Sequence, residues 1–131
     1  MSYGDRIILD IGGTKFKTTD VTLENCDFFK MLYVKDSRFK RENDGSFFID
    51  RDPTHFRHIL NYLRDEIMVP QLDPSNRIEL LAEARFYGVQ GLVRELVREA
   101  EAEAKAKLES QALPLVARGR SIKATKRRRR R

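Results

Sequence analysis

One stretch, Gly45 to Asp65, constrains the fold of this 131-residue chain more than any other. It opens on a glycine turn and passes through a short apolar run, Phe47-Phe48-Ile49. A charged junction, Asp50-Arg51-Asp52, follows it. Pro53 then stands where a helix begins, because Phe56, Ile59, Leu60 and Leu63 recur at i, i+3, i+4 and i+7. Asp52 before Pro53 reads as an N-cap with a first-turn proline: the carboxylate accepts from free amides, and proline lacks the amide that would be left unpaired. Strand, charged corner and amphipathic helix are thus joined within a few residues.

The flanking segments supply the rest of an α/β (α+β) domain. Ile7, Leu9 and Ile11 alternate with Ile8 and Asp10, as in a strand buried mainly on one face. Gly12-Gly13 is a two-residue hairpin turn, since both glycines accept positive φ. Phe16 and Thr18 alternate with Lys15 and Lys17 on the return strand. A helix is expected within Thr22 to Tyr33, with Phe28, Phe29 and Leu32 on its inner side. Val34 to Asp44, polar apart from Phe39, reads as a loop. Asp73-Pro74 repeats the capping signal, and the helix that follows runs to Tyr87 and stops near Gly88. In the last helix Val89, Leu92, Val93, Leu96, Val97 and Ala100 form one stripe, with Arg94, Glu95, Arg98 and Glu99 outside it. Glu101 to Leu108 reads as a solvated extension of that helix. A coiled coil would have only alanines and one leucine for its seam. The sequence pattern ends the helix at Pro114 and leaves 118–131 without structure, because like charges repel and little apolar remains to bury.

Charge is divided along the chain. Residues 118 to 131 hold 9 of the 26 Lys and Arg and none of the 20 acids, leaving 17 basic against 20 acidic residues before them. The overall +6 therefore belongs to the basic end, and the globular part is mildly acidic at −3. No run approaches the roughly 18 apolar residues needed to cross a bilayer, so no membrane insertion is expected. The first residues lack a signal-peptide layout. A single cysteine, Cys26, allows neither an internal disulfide nor a thiolate-rich zinc site. A cytoplasmic or nuclear setting is the simplest expectation.

Each tempting chemical motif has a plainer reading. Gly12-Gly13-Thr14-Lys15 lacks the full phosphate-loop pattern and fits a hairpin turn. Asp50 and Asp52 flank an arginine, which suits an ion-pair junction or a subunit contact better than paired catalytic acids. His55 and His58 can share a helix face but have no third ligand nearby, and Cys26 has no histidine close in sequence. No catalytic residues, metal ligands or cofactors are expected, and the chain reads as a non-enzyme.

Three blocks in order carry a family resemblance: Ile7 to Thr19, Gly45 to Asp65, and Leu80 to Leu92. Together they resemble the BTB/POZ domain of the potassium-channel-tetramerisation type, found in channel cytoplasmic domains and in the KCTD ligase adaptors. The resemblance covers about residues 5–100; 101–117 would be a helical extension and 118–131 an Arg-rich tail. It implies a small three-stranded sheet flanked by a cluster of helices. It also implies assembly with copies of itself into a ring of four or five subunits. The clustered His and Cys that hold zinc between subunits in some channel-type relatives are missing here.

Phe16, Phe47, Ile49, Phe56, Leu60, Leu63, Leu81 and Phe86 are assigned to the core. Asp10, Thr14, Asp50, Arg51 and Asp52, polar and at strand ends or turns, are assigned to the subunit interface, where such groups set register more than they stabilise. Resemblance also implies two roles: an adaptor on a cullin-type ubiquitin-ligase scaffold, or a stand-alone oligomerisation subunit regulating potassium channels or longer family members. In the adaptor role Val34, Phe39, Phe86 and Tyr87 are the contact candidates. No folded recognition domain is expected after the BTB unit. Lys126, Arg127, Arg128, Arg129, Arg130 and Arg131 form either a nuclear-import signal or a nonspecific polyanion binder.

Overall fold

Strand β1 (Arg6–Ile11) lies at the centre of a three-stranded sheet. It pairs antiparallel with β2 (Thr14–Thr19) and parallel with β3 (Phe47–Ile49), in the order β2-β1-β3. The computed structural model describes the backbone of residues 4–33, 39–66 and 71–130, with side chains placed in 4–32, 39–66 and 71–111. The register sets Leu9 opposite Phe16 and Phe47, and Ile11 opposite Thr14 and Ile49. The alternation expected of β1 is present: Ile7, Leu9 and Ile11 are all buried. Period-two alternation on β3 likewise buries Phe47 and Ile49 and turns Phe48 outward.

The hairpin turn forms as the two glycines require. Gly12 and Gly13 adopt φ of 57° and 106°. Gly12 has a second constraint, because a Cβ there would stand 2.4 Å from the Arg51 carbonyl oxygen. Its N–H donates to the Ile49 carbonyl at 2.9 Å, tying the hairpin tip to the end of β3.

The helix expected within Thr22 to Tyr33 is broken. Helix α1 (Asp20–Leu23) is capped by the Thr19 side chain, which accepts from the Thr22 N–H, and α2 (Asp27–Lys30) leads into a 3-10 turn at Met31–Tyr33. The break at Glu24, Asn25 and Cys26 has tertiary causes. Asn25 Nδ2 donates to the Leu63 carbonyl at 2.8 Å, and the Cys26 thiol donates to the Tyr87 carbonyl at 3.1 Å. Long-range hydrogen bonds here outweigh one continuous local ladder.

The helix expected from Pro53 begins three residues later, as α3 (Phe56–Asp65). Asp52 does not cap it. Its Oδ1 accepts from the Thr54 N–H at 2.9 Å and the Thr54 hydroxyl at 2.6 Å, an Asx turn that uses up the capping oxygen before the helix starts. Helix α4 (Pro74–Phe86) starts as the sequence reads, with Asp73 Oδ1 accepting from the Asn76 N–H at 2.8 Å and Pro74 in the first turn. It ends in a Schellman motif: Gly88, at φ 68°, donates to the Arg85 carbonyl, and Val89 donates to that of Ala84.

Helix α5 spans Gln90–Arg130. The side chains of the basic run, expected from the sequence to lack structure, lie outside the described residues. The chain divides into two compact units, Met1–Leu96 and Val97–Arg131. Leu92 and Leu96 belong to the core of the first, with Leu9, Phe29, Phe56, Ile59 and Leu80. From Glu101 to Gln111 nearly every residue of the second is exposed, as expected of a solvated extension. No helix among the described residues is long and apolar enough to cross a membrane.

Candidate functional site

Two neighbouring features stand out, and Arg51 joins them. The first is the sheet end. Strands β1 and β3 run parallel, so Asp10 near the end of one lies close to Asp50, Arg51 and Asp52 beyond the end of the other, and Thr14 opens β2 beside them. The five polar residues assigned to the interface therefore gather around the Gly12 turn. Three of them also hold the subunit's own backbone or side chains in place. Asp10 Oδ1 accepts from the Gly13 N–H at 2.8 Å, Asp52 makes the Asx turn with Thr54, and Arg51 pairs with Glu83. Hydrogen bonds from Thr54 hold the Asp52 carboxyl below its ordinary range. Thr14 and Asp50 are exposed. At the adjoining edge Lys15 is ion-paired to Asp44, which also accepts from the Ser46 N–H and hydroxyl. Those contacts, Lys15 first, depress the Asp44 carboxyl far below the usual carboxylate range.

The second feature is a groove of about 430 Å³ lined by Phe28, Phe39, Phe48, Ile49, Asp50, Arg51 and Phe86. Its floor is an aromatic cluster. Phe28 stands edge-on to Phe29, Phe39 and Tyr87 at centroid distances of 5.1–5.2 Å, and tilted against Phe86 at 5.2 Å. Tyr87 stacks on Phe29 and meets Phe56 edge-on, carrying the cluster down into the core. Phe48 (41% exposed) and Phe86 (42%) form the rim.

Arg51 braces this rim. Its Nε and one terminal nitrogen donate to the two Glu83 oxygens at 3.1 and 2.7 Å, a bidentate pair, and its guanidinium lies 4.1 Å from the Phe86 ring centroid. The Glu83 hydrogen bond raises the Arg51 pKa further, so the guanidinium stays charged. Glu83 follows buried Leu80 by three positions on α4, so fold and brace share a helix face.

Several assigned residues sit differently from expectation. Phe86, assigned to the core, is on the rim, while Leu81 and Phe16 are half-buried. Phe86 follows buried Leu80 by six positions, about 240° round the helix, and so faces away from the core. Tyr87, a contact candidate, is 1% exposed and supports the floor. Burial, then the nearby Glu83 carboxylate, pushes its hydroxyl well above the ordinary tyrosine range. Phe39 and Phe86 do share the groove, and Val34 lies outside the described residues.

Glu83, Phe28 and Phe48 were not singled out for the site. Strand alternation at Phe47-Phe48-Ile49 could have marked Phe48 as outward; nothing local could pair Arg51 with a residue 32 positions away. The two histidines stack with ring centroids 6.5 Å apart, and His55 Nε2 meets Glu79 Oε1 at 2.8 Å, which ties α3 to α4. Cys26 is buried, and desolvation raises its thiol pKa, as befits a small core residue. Among the described residues no group of three or more His, Cys, Asp or Glu could hold a metal ion.

The BTB/POZ domain family profile matches residues 7–97, most of the chain, and the chain belongs to that family, in its potassium-channel-tetramerisation type. It is 39% identical to the mouse (Mus musculus) BTB/POZ domain-containing protein KCTD9 over 100 residues, which is 72% of this chain and 29% of that protein. It is 44% identical to the SH3KBP1-binding protein 1 of Rattus norvegicus over 102 residues, 73% of this chain and 14% of that protein. To human (Homo sapiens) KCTD17 it is 38% identical over 95 residues, 70% of this chain and 30% of that protein. The chain thus spans less than a third of the length of these curated relatives. The domain is a protein-interaction and oligomerisation module.

Proposed function

We propose that the chain is a self-assembling, non-enzymatic adaptor whose aromatic groove receives a cullin-type ubiquitin-ligase scaffold. The observation that carries this reading is the groove itself: two exposed phenylalanines above a partly buried aromatic floor, with one rim ring held by an arginine that is itself held by a buried glutamate. Aromatic residues and arginine are the types that dominate interface energetics, and a braced ring loses little side-chain freedom when a partner's apolar residue packs against it. The similarity to KCTD proteins supports the same reading. Thr14 and Asp50, exposed at the sheet end, would meet the neighbouring subunit in a ring of four or five.

Titration calorimetry of the full chain against a cullin N-terminal domain tests the groove. Phe86→Ala should weaken binding at least 10-fold, the effect of losing about 1.4 kcal/mol at a contact, with little change in melting temperature. Binding unaffected by Phe86→Ala would sink the groove assignment. Light scattering tests assembly separately: a clean monomer at tens of micromolar would sink the ring. An intact ring without cullin binding would favour the second role, an oligomerisation subunit for potassium channels or longer family members.

A further inference from the structure

We propose, resting on the groove reading, that the outer face of α4 extends the groove into a docking surface for an amphipathic helix of the partner, one that sets a carboxylate opposite Arg85. A helix at a domain surface ordinarily turns polar side chains outward. Helix α4 does so only in part. Leu80 and Ala84 face the core, but Ile78, Ala82 and Phe86 are exposed on the other side. Ile78, at 66%, is the most exposed large apolar side chain among the described residues of Met1–Leu96.

A lone exposed isoleucine means little. This one belongs to a ridge. Ile78, Ala82 and Phe86 stand at i, i+4 and i+8, a row about 12 Å long at 1.5 Å per residue. The row runs into the groove, because Phe86 is also its rim, tilted against Phe28 and covered by the Arg51 guanidinium. Ala82, small and central, leaves room for a second backbone to approach. Rows at this spacing fit between the side-chain rows of another helix. An added strand would find no free N–H or carbonyl in the middle of α4, since those groups are paired within the helix.

Charge narrows the partner further. Both acids of α4 are engaged within the subunit, Glu79 by His55 and Glu83 by Arg51. Arg85 is exposed and forms no ion pair among the described residues. Seven positions after Ile78, it lies within about 20° of it round the helix and so on the same face. The surface therefore offers an apolar ridge with one uncommitted cation beside it. Its complement is a helix with apolar residues one turn apart and an acid next to them.

Biolayer interferometry of the full chain against a cullin N-terminal domain, at about 50 and about 500 mM NaCl, tests the proposal. Ile78→Gln should weaken binding at least about fivefold at both salt concentrations, because docking would cover the isoleucine. Val21→Gln, which removes another exposed apolar side chain, on α1, should bind as the unaltered chain does. Arg85→Glu should slow association about tenfold at low salt and much less at high salt, where the charge pair is screened, and Arg85→Lys should keep the faster rate.

Loss of binding in Phe86→Ala with full binding in Ile78→Gln and Arg85→Glu would overturn the ridge and leave the groove standing. No binding by the unaltered chain, or binding unaffected by Phe86→Ala, would overturn both. Association slowed equally at both salt concentrations by Arg85→Glu would overturn the partner carboxylate. A smaller assembly in light scattering of Ile78→Gln would assign the ridge to contacts between copies of this chain instead.

Discussion

Arg51→Met tests the brace at the centre of the site. It removes the guanidinium that donates to both Glu83 oxygens and lies over Phe86. Glu83 is then left as a carboxylate with a side chain only 12% exposed and without its cation. Breaking a fully buried pair on one side costs about 3–5 kcal/mol. The Arg51 side chain is 30% exposed, so water can reach the vacated site, and the expected loss is about 2–3 kcal/mol. For a folded unit of this size each kcal/mol shifts the melting temperature by about 4–8 °C, so the variant should melt about 10–20 °C lower. Glu83→Leu alone should cost a similar amount, because it strands the arginine. The double variant should recover most of the loss, since replacing both partners by apolar groups leaves no uncompensated charge. The assay is urea or thermal unfolding followed by circular dichroism across the four-member cycle. A coupling energy below about 0.5 kcal/mol would reduce the pair to an ordinary surface contact and refute the brace.

Four further outcomes follow from the same geometry. Phe56→Ala should cost about 3–5 kcal/mol in unfolding free energy, because the ring is fully buried against Phe16, Phe29 and Tyr87. Gly12→Ala should lower the melting temperature sharply, since it combines positive φ with a Cβ 2.4 Å from the Arg51 carbonyl oxygen; an unchanged melt would refute that contact. The His58 pKa is depressed by burial first and then by Arg57 and His55. The unfolded chain therefore takes up a proton before the folded one as pH falls through the ordinary histidine value of about 6.5. This contribution is full above that value and is lost below it, and urea titrations at pH 7.5 and 5.5 should show the loss shrink in His58→Gln. Thr14→Arg, at the exposed start of β2, should weaken subunit assembly in light scattering while leaving the monomer's melting temperature and the groove intact.

Local pattern made much of the fold legible. Alternation located β1, the paired glycines located the turn, Asp73-Pro74 and Gly88 bounded α4, and the apolar stripe gave α5 its buried face. The misses arise where another hydrogen-bond partner, near or far in sequence, competed with the expected one. Asn25 and Cys26 broke a helix because Leu63 and Tyr87 offered their carbonyls. Asp52 had an oxygen placed for a cap but a nearer donor in Thr54. In the site, Asp10, Thr14, Asp50, Arg51 and Asp52, grouped from the sequence by polarity, lie around one end of the sheet. Hydrophobicity alone misplaced Phe86, because the face that a helix-end residue occupies depends on its phase relative to Leu80 and Ala84. Glu83 was illegible altogether, being an acid in a helix whose cation lies on a distant loop.

The position of Arg51 has a consequence for dissecting function. Its carbonyl closes against the Gly12 turn, and its side chain holds the groove rim through Glu83 and Phe86. One residue therefore touches both the sheet end, where subunits would meet, and the groove, where a scaffold would dock. A charge reversal there sets an acid against Glu83 and disturbs the subunit before it reports on any neighbour. Loss of assembly in such a variant would not locate the interface. Thr14 and Phe86 separate the two surfaces: each is exposed, neither is part of the bidentate pair, and each lies on only one of them. If assembly and scaffold binding are distinct functions of this domain, substitutions at these two positions should affect one each. If both substitutions weaken both functions, the sheet end and the groove act as one surface with Arg51 at its middle.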